Sequence, residues 1–119
     1  MKQKIAIVGS RNITDYEIIK TFVLSYIDVN NIEWVCSGGA RGVDSLAEQF
    51  ADEFNIPKKI FLADWDQFGK QAGFLRNFDI ITNSDIVFAI WDGVSKGTQH
   101  SMSIAKKQNK ILYTKIINM

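Results

Sequence analysis

The chain holds eleven lysines but only three arginines, Arg11, Arg41 and Arg76. Each arginine stands beside a glycine or in the segment following one: Gly9-Ser10-Arg11, Ala40-Arg41-Gly42 and Gly73-Phe74-Leu75-Arg76-Asn77. Lysine is enough for solubility, whereas the planar guanidinium fork can grip a phosphate or carboxylate at two points. This placement points to anion binding. The competing reading is ion pairing with Asp15, Asp44 or Asp79, which is expected to hold for one of the three.

Of the eight glycines, Gly9, Gly38, Gly39, Gly42, Gly93 and Gly97 fall just after apolar runs, and Gly69 and Gly73 flank the start of a helical segment. Glycine lets a backbone turn tightly or approach a ligand closely. Loops that feed helix N-termini also present free N–H groups and a dipole that favours anions. Ser10, Ser37, Ser95 and Thr98 add hydroxyl groups, although Ser95 and Thr98 serve equally well as helix caps. Asp44, in the first turn of a helix, supports the helix dipole or holds Arg41 in one reading and faces a ligand in the other. Asp92 can accept from a ribose hydroxyl or an amino group. The candidate ligand-binding set is therefore Gly9, Ser10, Arg11, Ser37, Gly38, Gly39, Ala40, Arg41, Gly42, Asp44, Arg76, Asn77, Asp92, Gly93, Ser95, Gly97 and Thr98. No catalytic residue and no metal ligand is nominated.

Five apolar runs, rich in β-branched or aromatic residues, read as strands buried on both faces: Lys4–Val8, Glu33–Cys36, Lys59–Leu62, Asp85–Trp91 and Lys110–Thr114. Four helical stretches separate them. The first is capped by Thr14, with Glu17 three residues on, and carries the stripe Ile18, Ile19, Phe22, Val23, Tyr26, Ile27. The second carries Val43, Leu46, Ala47, Phe50, Ala51 and Phe54 and stops before Pro57. The others run from Lys70 to Thr82 and from Thr98 to Gln108. Such alternation predicts an α/β three-layer sandwich with a five-stranded parallel sheet and about four helices; the arrangement expected is Rossmann-like, with strand order 3-2-1-4-5. Six of the glycines then share the carboxyl edge, where doubly wound sheets bind ligands.

With 119 residues, the chain reads as one domain with one core. Its net charge of +1 gives no general attraction for polyanions. No apolar run reaches the ~20 residues of a membrane span, and the N-terminus has no signal-peptide pattern. Cys36, the one cysteine, reads as a buried inert thiol within an apolar run. These features fit a cytoplasm, including that of a phage-infected cell.

The segments Ile7-Val8-Gly9-Ser10-Arg11, Ser37-Gly38-Gly39-Ala40-Arg41-Gly42-Val43-Asp44, Ala72-Gly73-Phe74-Leu75-Arg76-Asn77, Trp91-Asp92-Gly93 and Ser95-Lys96-Gly97-Thr98 closely resemble the SLOG superfamily, nearest its YspA-like, YpsA-related branch. The resemblance covers nearly the whole chain. Its DNA-processing protein A relatives share similar motifs and bind single-stranded DNA. Its Lonely-guy (LOG) relatives carry Pro-Gly-Gly-x-Gly-Thr-x-x-Glu and release bases from nucleoside monophosphates. Against that last motif, Ser101 stands where the catalytic glutamate belongs, and a hydroxyl cannot replace a carboxylate in activating water. His100 points about 100° away on a helix and reads as a surface or capping residue.

The resemblance implies a module that senses or sequesters a nucleotide or nucleotide-derived signal. Gly9–Arg11 and Gly38–Asp44 would cradle phosphate, with Arg76 and Gly97-Thr98 closing the other side. No cofactor is required beyond that nucleotide-like ligand. The first alternative is an N-glycosidase using Asp44, Asp64 or Asp66, although Asp64 and Asp66 read better as a solvated loop beginning a helical turn. The second is single-stranded DNA binding, with Trp65, Phe68, Phe74 and Trp91 available to stack on bases or to pack in the core. No membrane partner is implied. A homo-oligomer is expected, because Phe74, Phe78, Ile81 and Met102 exceed the needs of one core.

Overall fold

In a computed structural model that describes residues 2–118, five parallel strands form one sheet in the order β3-β2-β1-β4-β5. The strands are β1 (Gln3–Gly9), β2 (Ile32–Ser37), β3 (Lys58–Ile60), β4 (Ile86–Trp91) and β5 (Ile111–Ile116). Four helices of nine to twelve residues cover the sheet: α1 (Tyr16–Leu24), α2 (Val43–Glu53), α4 (Ala72–Thr82) and α5 (Lys96–Lys107). A four-residue helix, α3 (Trp65–Phe68), precedes α4. The expected architecture and strand order are those observed.

Side chains alternate across the strands, and this alternation builds two cores. Ile5, Ile7, Val35, Phe88 and Ile90 pack with Ile19, Phe22 and Val23 of α1 and with Val43, Ala47, Phe50 and Ala51 of α2. Ala6, Val8, Cys36, Val87 and Ala89 face the other way, toward Ile80 and Ile81 of α4 and Ile104 and Ala105 of α5. The small residues at 6, 36 and 89 allow the second helix pair to approach the sheet. Burial pushes the Cys36 thiol up to about 11, so it stays protonated and unreactive at neutral pH.

Several boundaries differ from the sequence reading. Asp15 rather than Thr14 caps α1, accepting from the Glu17 N–H at 3.1 Å. β3 ends at Ile60, leaving Leu62 exposed beyond the sheet edge. The third helical stretch begins later than Lys70, because a short 3-10 turn over Gly69–Gln71 separates α3 from α4. α5 begins at Lys96, two residues before Thr98. Of the apolar residues judged to be in excess, Ile81 is fully buried and Met102 is half-buried, while Phe74 and Phe78 are exposed.

Phe88 is the largest fully buried side chain contributed by the sheet and meets Phe22 edge-on, with ring centroids 5.7 Å apart. Phe88→Ala should cost about 3–5 kcal/mol by leaving a cavity with no neighbour able to fill it. Urea denaturation of the two proteins checks this; a loss under about 1 kcal/mol would mean that the core collapses around the gap.

Candidate functional site

The sheet order reverses between β1 and β4, so the loops leaving these adjacent strands diverge and open a crevice. A cavity of about 310 Å³ lies there. Twelve candidate residues line it: Gly9, Ser10, Arg11, Ala40, Arg41, Asp44, Arg76, Asn77, Asp92, Ser95, Gly97 and Thr98. All three arginines therefore meet, although each comes from a different stretch of chain. Gly38 and Gly39 line an adjoining hollow of about 470 Å³ that shares Arg11, Arg41 and Arg76 with the first. Ser37, Gly42 and Gly93 line neither.

Each of those three has a local task. Ser37 is buried, and its hydroxyl donates to the Asp44 carbonyl at 3.2 Å. Gly42 sits at φ +72°, and a Cβ there would strike the Arg11 backbone; glycine alone lets the start of α2 press against the Arg11 loop. Gly93 turns the loop after β4 at φ +86°, with open space around it.

Arg76 reaches across the crevice from α4. Its Nη1 donates to the Gly38 carbonyl at 2.7 Å and its Nε to Asn77 Oδ1 at 3.1 Å. Asn77 Nδ2 lies 3.4 Å from the Gly97 carbonyl and 3.4 Å from His100 Nδ1, bracketing α4 to the start of α5. His100 is not a cap, since it lies within α5. It is half-buried, with its ring edge-on to Phe74 at 4.6 Å, and burial followed by the Lys107 charge lowers its pKa, so it is neutral at pH 7.

The ion pair expected for one arginine does not form. Among the described residues every salt bridge is made by lysine, with Glu48, Asp52 or Glu53. Asp44 does not hold Arg41; its Oδ2 accepts from the Ala40 N–H at 3.2 Å and closes the Gly38–Gly42 loop. Burial raises the Asp44 pKa, opposed by that hydrogen bond and by the nearby charges of Arg76 and Arg11. Partial burial lowers that of Arg76, opposed by Asp44, and the guanidinium remains charged.

The other carboxylate of the crevice, Asp92, is turned toward its own loop. Oδ1 accepts from the N–H groups of Val94 at 2.9 Å and Ser95 at 2.8 Å, and Oδ2 accepts from the Ser95 hydroxyl at 2.8 Å. Ser95 thus occupies the N-cap position of α5 without capping through its side chain. Thr98 lies buried inside the helix, facing the crevice. Asp64 caps α3, accepting from the Gln67 N–H at 3.1 Å, and Asp66 is exposed in that first turn; neither lines the crevice.

Val8, Asn12, Ile80 and Ser101 also line the cavity and fall outside the candidate set. Simple signals mark three of them. Asn12 continues the Arg11 loop, Ile80 follows Arg76 by one helical turn, and Ser101 follows Gly97 by one turn.

Fold and crevice together define a Rossmann-like, doubly wound α/β domain with a basic hollow at its topological switch point. Residues 3–68 match the YspA, cpYpsA-related SLOG family, and the chain belongs to that family. The chain is 39% identical over 79 residues to the gene 61 protein of Mycobacterium phage D29, a match covering 61% of this chain and 63% of the phage protein. It also resembles DNA processing protein A from Helicobacter pylori, a structure that describes a single-stranded DNA binding mode. That likeness has a TM-score of 0.71 at 23% identity and covers 93% of this chain and 64% of the other. The chain therefore spans less than two thirds of either relative. No helix among the described residues is long and apolar enough to cross a membrane.

The bonds around Asp92 stabilise its ionised form and hold its pKa down to about 2. An unfolded aspartate titrates near ~3.9, so between these values the unfolded chain binds more protons. This contribution to stability is complete above pH ~4 and is lost as the pH falls toward the folded value. In Asp92→Asn the decline in urea midpoint between pH 5 and 2.5 should be shallower than in the parent. Parallel declines would show that these bonds do not favour the charged carboxylate.

Proposed function

We propose that this domain binds a nucleotide or a nucleotide-derived phosphate ligand in the crevice at the carboxyl edge of the sheet, and acts by sensing or sequestering it. The observation that carries this reading is the meeting of Arg11, Arg41 and Arg76 on one hollow, none of them within ion-pair distance of a carboxylate among the described residues. Guanidinium groups gathered without carboxylate partners suit a polyvalent anion, which would relieve their mutual repulsion while accepting several N–H bonds. The hydroxyls of Ser10 and Thr98 line the same cavity and can donate to phosphate oxygens.

Binding without turnover is the better-supported reading. The position matching the LOG-type glutamate is Ser101, buried in the cavity wall. Asp92 is committed to three hydrogen bonds of its own loop, which leaves Asp44 as the other carboxylate there among the described residues.

Isothermal titration against a panel of nucleoside mono-, di- and triphosphates tests the proposal. Arg76→Met should weaken the tightest ligand about 10- to 100-fold, the equivalent of the ~1.5–3 kcal/mol of a hydrogen bond to a charged group. Gly38→Ala should act in the same direction. A Cβ there would lie 2.6 Å from Arg76 Nη1 and 2.8 Å from Asp44 Oδ2, so both the guanidinium and the carboxylate that closes the loop must shift. Absence of heat with every nucleotide, or full affinity in Arg76→Met, would overturn the proposal.

A second reading, single-stranded nucleic acid as ligand, is favoured by the structural likeness to the Helicobacter pylori protein. With a net charge of +1, such binding should be weak and have a shallow salt slope. Fluorescence anisotropy of a labelled oligonucleotide at rising salt separates the two. Strong binding that persists near physiological salt would put the polymer ahead of the mononucleotide.

A further inference from the structure

We infer that the hollow beside the crevice is the seat of a nucleobase, so that the ligand spans both chambers with its phosphate on the arginines and its flat ring against Trp65. The inference rests on the phosphate-binding reading above and adds where the base of that ligand sits. The two chambers share Arg11, Ala40, Arg41 and Arg76 but differ in their remaining walls. Hydroxyls and carboxylates line the first. In the second, the remaining side chains are Leu62, Ala63 and Trp65, set against the backbone of Gly38 and Gly39. Among the described residues no carboxylate lines it.

These apolar groups are held in the open by the local structure. Leu62 is 74% exposed and Trp65 53% exposed, both beyond the end of β3. Leu62 lies over Gly39, where a Cβ would come within 2.6 Å of its Cδ2. Trp65 is the first residue of α3, fixed by the Asp64 cap, and the far edge of its indole rests on Gly73, with Cη2 3.3 Å from where a Cβ would stand. The other two tryptophans are only part-exposed and spend their indole N–H groups inside the protein. Trp34 donates to Asn83 O at 3.1 Å, and Trp91 donates to Ser95 O at 2.9 Å. Trp65 makes no such bond among the described residues.

A chamber about 470 Å³ in volume, lined by an indole, a leucine and three guanidinium groups, suits a flat heteroaromatic ring attached to an anion. A phosphosugar would leave these apolar walls in water. Stacking on an aromatic side chain tolerates any base, because every base has a π-face.

Titration of the full chain with the four nucleoside 5′-monophosphates and with ribose 5-phosphate tests the inference. At least one nucleotide should bind more tightly than ribose 5-phosphate. Trp65→Ala should weaken that nucleotide roughly 10- to 100-fold and leave ribose 5-phosphate unchanged, while Trp65→Phe keeps most of the affinity. Circular dichroism of both variants confirms that the fold persists. Equal affinity for nucleotide and sugar phosphate, or an equal loss of both in Trp65→Ala, would overturn the base seat while leaving the phosphate site standing. If no compound binds, or Arg76→Met binds them all as the parent does, the phosphate reading falls and the base seat with it.

Discussion

The crevice depends on how Ser10 is tied. Its N–H donates to the Ile90 carbonyl at 3.1 Å, its carbonyl accepts from the Val43 N–H at 3.3 Å, and its hydroxyl accepts from the Asp92 N–H at 3.0 Å. One buried residue thus fixes the end of β1 against β4, the loop beyond β4 and the first turn of α2. These segments are far apart in sequence, and every other element of the crevice is placed relative to them. A serine suits the position because it is small enough for the strand junction and still offers a hydroxyl acceptor to the Asp92 N–H.

The electrostatics of the hollow follow from that geometry. Arg11 and Arg76 stand close enough for the charge of one to disfavour the charge of the other. Asp44 offsets part of this repulsion, but it is buried and already accepts from the Ala40 N–H. Two of the lysines follow the opposite pattern. Lys20 and Lys58 pair with carboxylates on the outer surface of α2, where such pairs are exposed and contribute little to stability. Lys20 and Lys58 are thus paired on the outer face, while the three guanidinium groups at the sheet edge have no carboxylate in ion-pair contact among the described residues.

Much of this was legible in the chain itself. The strand and helix alternation is plain because Ile5–Val8 and Ile86–Ile90 are unbroken apolar runs, and only a sheet covered on both faces accepts them. The convergence of the arginines followed from their glycine neighbours, since strand-end loops of a parallel sheet share one edge. What stayed hidden depended on contacts across the fold. That Arg76 would choose the Gly38 carbonyl over a carboxylate, and that Asp92 would turn inward on Val94 and Ser95, are matters of a few ångströms in tertiary space. Local propensity also misled at Thr14, where the adjacent Asp15 takes the cap, and at Gly69, whose φ of +57° interrupts the approach to α4.

Arg11 leaves a strand, Arg41 leads into a helix, and Arg76 sits within another. No two of them share an element, so an unfolded chain has no fragment of the hollow to offer. Any molecule that relies on all three recognises the native state alone and must contribute to its stability. At a free concentration about 100 times its dissociation constant, such a molecule adds about 2.7 kcal/mol to the free energy of unfolding. For a small domain, whose whole margin is about 5–15 kcal/mol, occupancy of the hollow and persistence of the fold would then be coupled quantities.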